Sequence, residues 1–192
     1  MADTAQRFTL RQKITMMVNR YELRELLTDG SEGPLLAFAQ QKRMAFKEEV
    51  TFYADEARTK PLFSFKARQR LDLGATYDVT DADGQLIGEF RKDFKASLLR
   101  STWHLSTPDG LTSIGQERSA GVAIIRRFVD IPFLLFHFDF TSGDGQVILS
   151  SQRQRSLRDR YELTVPVLPN GWQLDWRVAA AMGVALDALQ GR

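Results

Sequence analysis

Apolar and polar residues alternate along most of this chain. In several segments, large apolar residues stand two positions apart and are separated by charged or small polar residues. These segments carry Tyr21 and Leu23, Phe63 and Phe65, Tyr77 and Val79, Trp103 and Leu105, Phe136, Phe138 and Phe140, and Tyr161, Leu163 and Val165. A period of two is typical of antiparallel strands that have one buried and one solvated face.

Short turn signals separate these segments. They are Asp29-Gly30, Asp83-Gly84, Asp109-Gly110, Asp144-Gly145 and Asn170-Gly171. Both dipeptides tolerate the positive φ that tight hairpin turns require. Pro61, which follows residues 54–60, indicates one looser turn. The pattern therefore predicts a loosely repeated series of β-hairpins.

The end of the chain has a different pattern. Between Arg177 and Asp187 there is no charged or strongly polar side chain. A helix that is apolar on all faces should be buried, and this one is too short for a bilayer, which takes about 20 apolar residues. Its alanines and Gly183 would let large aromatic side chains approach the helix axis. We therefore predict a mainly β fold of one domain, residues 1–192, in which a closed antiparallel barrel surrounds a helix over 174–189.

Two further segments stand apart from the hairpins. Residues 1–7 are expected to be a short disordered N-terminus without the features of a signal peptide. The stretch 121–131 predicts a short amphipathic helix that ends before Pro132 and carries Arg126 and Arg127 on one side. It is either an interfacial helix for anionic lipid or a lid with solvated arginines, and its length of about three turns favours the lid.

Composition narrows the class of protein. The chain has 192 residues, a formal net charge of +2 and no cysteine, which excludes disulfides, thiol catalysis and zinc–thiolate sites. A cysteine-free chain fits the reducing cytoplasm, where we expect this protein, with no transmembrane span. The mildly basic sequence pI of about 9.0 is far from the field of a dedicated nucleic-acid binder, so no nucleic acid partner is expected.

Enzyme and metal signatures are missing from the sequence. There is no nucleophile elbow, phosphate loop or metalloprotease helix motif, and the two histidines, His104 and His137, alternate away from the aromatic faces. Asp78, Asp81 and Asp83 resemble a calcium loop superficially, but a hairpin turn explains them better. We predict no catalytic residue, no metal site and no cofactor.

Basic residues provide the candidate binding chemistry. The densest stretches could build an anion pocket if they lie on adjacent strands, although solvated residues alternating on an outer barrel face would give the same pattern. The candidate lipid- or anion-binding residues are Lys92, Lys95, Arg100, Arg126, Arg127, Arg153 and Arg155.

The hairpin Tyr77–Gly88, followed by Phe90–Lys95, resembles the LURP-one-related proteins, as do Phe8–Lys13 and Arg158–Leu163. This family belongs with phospholipid scramblases in the tubby C-terminal-like superfamily. The resemblance implies a twelve-stranded antiparallel barrel closed around a central C-terminal hydrophobic helix, from about Phe8 to Leu189.

The chain also departs from these relatives. It lacks the proline-rich N-terminal region and the cysteine cluster of scramblases, and residues 165–172 have no carboxylates where scramblases carry a calcium-binding segment. Tubby proteins bind phosphoinositide headgroups with paired basic side chains. We assign no residues of this chain to those positions.

The resemblance implies a non-enzymatic binding module. We expect it to recognise anionic phospholipid headgroups as a peripheral protein at a membrane surface. The alternative is a soluble protein-interaction scaffold with no lipid role, whose protein partner the sequence leaves open. An enzyme ranks third, because no nucleophile and base can be paired.

Overall fold

The computed structural model describes residues 5–14, 18–42, 49–68, 76–93, 101–118, 137–154 and 160–190. They form twelve strands and one helix, α1 (Trp176–Gln190). The strands are β1 (Gln6–Ile14), β2 (Val18–Leu26), β3 (Glu32–Lys42), β4 (Glu49–Tyr53), β5 (Pro61–Ala67), β6 (Thr76–Asp81), β7 (Leu86–Asp93), β8 (Thr102–Ser106), β9 (Thr112–Glu117), β10 (His137–Ser142), β11 (Val147–Arg153) and β12 (Arg160–Val165). The helix predicted over 121–131 lies outside the described residues.

The strands form a closed barrel in which each strand pairs antiparallel with its neighbours in sequence. The barrel closes between β1 and β12, where Phe8 pairs with Leu163. This confirms the predicted fold class. β1 begins at Gln6, so Gln6 and Arg7 belong to the barrel and not to the disordered N-terminus expected over 1–7.

All five predicted Gly turns are present, but only the glycine of each takes a positive φ. In the first turn, the Gly30 N–H donates to the Leu27 carbonyl and the Leu27 N–H donates to the Ser31 carbonyl, both at 2.9 Å. This is a type I turn followed by a glycine bulge. Asp29 does not take a positive φ. Its side chain supports the turn instead, because Oδ1 accepts a hydrogen bond of 2.8 Å from the Ser31 N–H.

The helix α1 lies inside the barrel. It begins after Asp175, whose Oδ1 accepts a hydrogen bond of 2.8 Å from the Arg177 N–H and so caps the first turn. The eight residues from Val178 to Ala185 are buried on every face, and the helix contacts β1, β5, β7 and β12. The predicted buried helix is therefore confirmed.

Small residues allow this close packing. A Cβ added to Gly88 of β7 would lie 2.9 Å from Val178 Cγ2 on the helix, and one added to Gly183 would lie 3.0 Å from Leu163 Cδ1. Aromatic rings fill the wider spaces, as in the stacked pair Phe52 and Phe63, whose centroids are 4.2 Å apart.

The two ends of the barrel differ. The five Gly turns and the first turn of α1 lie at one end, which we call the turn end. At the opposite end β7 ends at Asp93, β11 ends at Arg153 and α1 ends at Gln190. The candidate residues that the structure describes lie at this second end.

Candidate functional site at the polar end of the barrel

Two of the seven basic candidates, Lys92 and Arg153, are among the described residues. Both lie close to the end of their strand, at the same end of the barrel. The other five lie outside the described residues: Lys95, Arg100, Arg126, Arg127 and Arg155.

Both residues occupy inward-facing positions, so the alternative of solvated residues on an outer barrel face does not hold for them. Lys92 pairs in register with Trp103, which is fully buried, and Arg153 pairs with Tyr161, which is also buried. Because directly paired residues share a face of the sheet, Lys92 and Arg153 face the interior. They are also not on adjacent strands, since β8, β9 and β10 separate β7 from β11.

The interior of the barrel changes from apolar to polar along its axis. In the middle it is lined by residues such as Leu10, Phe65 and Phe138. At the end where α1 stops, the inward positions carry polar and charged side chains. We call this set the polar end: Gln12, Asn19, Tyr21, Lys92, Glu117, Ser151, Arg153, Tyr161 and Asp187.

Asp187 is the first charged residue of α1 after Arg177, and two tyrosines bind it. The Tyr161 hydroxyl donates to Asp187 Oδ1 at 2.7 Å and the Tyr21 hydroxyl donates to Oδ2 at 3.0 Å. Gln12 Nε2 donates to the Tyr21 hydroxyl at 3.1 Å. A carboxylate is unfavourable near the C-terminus of a helix, and these hydrogen bonds offset that cost. They also fix the depth of α1 inside the barrel.

Lys92 lies over an aromatic ring of the interior. Its Nζ is 5.8 Å from the Trp103 ring centroid, the geometry of a cation–π contact. Trp103 Nε1 is buried and has no hydrogen-bond partner among the described residues.

On β6, burial raises the pKa of the Tyr77 hydroxyl, so this phenol stays neutral.

A second polar cluster lies on the outer face of β9–β11. Arg118 binds Asp139 through two hydrogen bonds of 2.7 Å, and the Ser150 hydroxyl donates to Asp139 at 2.7 Å. Burial would raise the pKa of Asp139, but the hydrogen bonds from Arg118 and Ser150 and the Arg118 charge outweigh it and lower that pKa. Burial and the Arg118 charge lower the pKa of His137. His104 lies 3.2 Å from Asp93 on the same outer surface, so the predicted outward placement of both histidines is confirmed.

The segment that carries Asp81 and Asp83 forms a hairpin turn, as predicted. Asp81 Oδ1 accepts hydrogen bonds from the Asp83 and Gln85 N–H groups at 3.0 and 2.9 Å. Asp78 accepts a hydrogen bond of 2.9 Å from Arg68. Within the described part of the chain, no group of three or more His, Asp or Glu side chains is placed to hold a metal ion. No described helix is long and apolar enough to cross a bilayer.

A family profile described as LURP-one-related matches residues 36–187. This chain belongs to the LURP-one-related family. The matched range begins within β3 and continues through β12 and the helix as far as Asp187, and the link to the tubby-like superfamily is consistent with it. No curated protein matches the chain.

Sequence reasoning missed part of the polar end of this LURP-one-related barrel. The tyrosine pair around Asp187 was not predicted, although the signal was present. Asp187 ends the apolar run of the helix, and Tyr21 and Tyr161 stand at the start of two predicted inward faces. The Arg118–Asp139 pair joins residues 21 positions apart and had no local signal.

Proposed function

We propose that this LURP-one-related domain is a non-enzymatic module that binds anionic phospholipid headgroups at a membrane surface, through the polar end of the barrel. The observation that supports it is the inward placement of Lys92 and Arg153 at one end. A cation that is partly withdrawn from water interacts more strongly with a phosphate than a fully solvated one does. We propose accordingly a peripheral location, on the cytoplasmic side of a membrane.

The proposal involves binding without a chemical step. The polar end offers the cations Lys92 and Arg153, which can bind phosphate oxygens. The Ser150 hydroxyl does not belong to the polar end. It lies on the outer face and donates to Asp139, which also pairs with Arg118. The rigid barrel wall would hold Lys92 and Arg153 at fixed separation, which favours one headgroup geometry over another.

Vesicle co-sedimentation tests this function. The wild-type protein should sediment with vesicles that contain phosphatidylglycerol and not with pure phosphatidylcholine vesicles, and physiological salt should weaken the binding because it screens charges. R153Q should bind less lipid. Q152E changes the net charge by the same amount, because it adds a negative charge at the neighbouring outward position, and should bind about as much as wild type. Absence of sedimentation with anionic vesicles at low salt would overturn the proposal.

One observation favours the second candidate, a protein-interaction scaffold with no lipid role. Among the residues that the structure describes, five large apolar side chains are more than a third exposed and lie at or near the turn end: Leu27, Leu86, Ile114, Val147 and Val167. Ile114 and Val147 both pair with Thr141, so they flank it on the outer face. A scaffold would bind a protein through this surface, remain indifferent to vesicles, and lose its partner in I114S/V147S but not in R153Q.

A further inference from the structure

We infer that Lys92 and the indole N–H of Trp103 form an oxyanion site inside the barrel, for the phosphate group of a hydroxyl-bearing phosphate ester. This inference deepens the proposed function and rests on it. It names the two donors that would contact the phosphate and the chemistry of the ligand around it.

The first observation is the orphaned N–H of Trp103. The side chain is fully buried, and its Nε1 has no hydrogen-bond partner within the described structure. Buried tryptophan N–H groups usually have a partner, and leaving one without a partner is unfavourable. The ring is held in place by Phe90, whose centroid is 6.1 Å away. An oxyanion would give this fixed donor the acceptor that it lacks.

The second observation is the position of Lys92. It is the register partner of Trp103 on the neighbouring strand, and its Nζ lies 5.8 Å from the indole centroid. The pair therefore combines a positive charge with a directional neutral donor on one interior face. Lysine acts on a phosphate as a point charge, while the indole N–H fixes one oxygen.

The third observation restricts the ligand. On β9, Gly115 pairs with Trp103, and Glu117, two positions further toward the same end, is 1 % exposed and faces the interior. A carboxylate at this position disfavours any phosphate group next to it, free or esterified, that does not also bring hydrogen-bond donors for it. A carboxylate accepts hydrogen bonds from hydroxyl groups, so the fitting ligand is a phosphate ester that carries hydroxyls. Such a group occurs both in free glycerol phosphate and in the headgroup of phosphatidylglycerol.

The indole N–H resonances provide a direct test. The chain has three tryptophans, and Trp172 and Trp176 lie at the turn end, where they serve as internal controls. Uniformly ¹⁵N-labelled protein is titrated with inorganic phosphate, glycerol phosphate and dihexanoyl-phosphatidylglycerol, and W103F assigns the Trp103 peak. We expect a saturable shift of the Trp103 peak with both esters, and weaker binding of inorganic phosphate.

Matched variants separate the site from general electrostatics. K92Q should weaken ester binding by roughly tenfold or more, the loss of a hydrogen bond to a charged group, while K92R should retain it. R91Q removes the same charge from the adjacent outward position and should leave binding within about twofold of wild type. Unchanged Trp172 and Trp176 peaks show that each variant is folded.

The outcomes distinguish this site from the proposed function. Sedimentation with anionic vesicles without a Trp103 shift by any probe overturns the site and leaves the function. A Trp103 shift with free glycerol phosphate and no vesicle association supports the site and overturns the lipid function. A shift that is equally weakened by K92Q and R91Q overturns the site.

Discussion

The Tyr161 hydroxyl donates a hydrogen bond of 2.7 Å to Asp187 Oδ1 and so joins strand β12 to the end of the buried helix. On one side of this bond the barrel interior is apolar and filled by α1. On the other side the inward positions are polar and include Lys92 and Arg153. The bond therefore lies at the boundary between the apolar interior, which stabilises the fold, and the polar end, which we propose binds the headgroup.

Loss of the Asp187 carboxylate should loosen the end of the helix. D187A removes the carboxylate that accepts from both the Tyr161 and the Tyr21 hydroxyl, while Tyr21 keeps the hydrogen bond that it accepts from Gln12. We expect a decrease in the free energy of unfolding of about 1–3 kcal/mol, measured by urea denaturation, and faster amide exchange in the last turn of α1. D187N keeps an acceptor oxygen and should be milder. Equal stability of D187A and wild type would show that the tyrosines do not hold the helix.

Enlarging Gly183 should destabilise the barrel. A Cβ at this position already lies 3.0 Å from Leu163 Cδ1 and 3.1 Å from Leu10 Cδ2, so G183L would overpack the interior by a whole side chain. Overpacking typically costs about 1–3 kcal/mol. The matched control is A188L, the same enlargement at a half-buried position of the helix, which should cost less. A G183L protein as stable as wild type would mean that the helix is not enclosed.

A single methyl group added at Gly115 should also destabilise the barrel. Its added Cβ would lie 2.3 Å from Phe140 Cε1, and Phe140 is fully buried. We expect G115A to lower the free energy of unfolding by about 1–3 kcal/mol, whereas G143A, where the Cβ meets nothing within 4 Å, should be nearly neutral. In the F140L background the cost of G115A should shrink, because the ring that clashes is gone. A cost that stays the same in that background would contradict the assigned contact.

The cluster of His137 and Asp139 should make the fold sensitive to acid. Burial and the Arg118 charge lower the pKa of His137 below its ordinary 6.5, so the unfolded state binds this proton more readily than the folded state. The free energy of unfolding should therefore fall as the pH drops below about 6.5. The lowered pKa of Asp139 adds stability above its ordinary 3.8 that is lost as pH falls through the folded-state pKa.

Urea denaturation of wild type and H137Q between neutral pH and about pH 5 checks this contribution. H137Q should lose part of the decrease in stability below pH 6.5. H104Q, which removes the other histidine of the chain, shows whether the effect belongs to position 137. Parallel pH profiles for H137Q and wild type would contradict the shifted pKa.

Much of the fold could be predicted because its signals are local. The alternation around Phe63 and Phe65, the Gly turns and the apolar helix each lie within a few consecutive residues. The turn type was less accessible, because Asp29 and Gly30 fit both a two-residue turn and a type I turn with a bulge. The hydrogen bonds of Leu27 and the backbone angle of Asp29 distinguish them.

The site depended on information that the sequence does not carry locally. The inward direction of Lys92 follows from its spacing to Phe90 and could have been predicted, but its alignment with Trp103 requires the register of β7 and β8. The contact of Tyr21 with Asp187 joins residues 166 positions apart. Such contacts arise from barrel closure, so local pattern alone could not show that the polar residues share one end.

Vesicle binding by K92E and R91E tests most directly that the interior of the polar end, and not the outer surface, recognises anionic headgroups. The two variants change the net charge equally at neighbouring positions on opposite faces of β7. We predict that K92E loses sedimentation with phosphatidylglycerol vesicles while R91E retains most of it. Equal loss in both variants would mean that overall charge determines binding, and equal retention would remove Lys92 from the site.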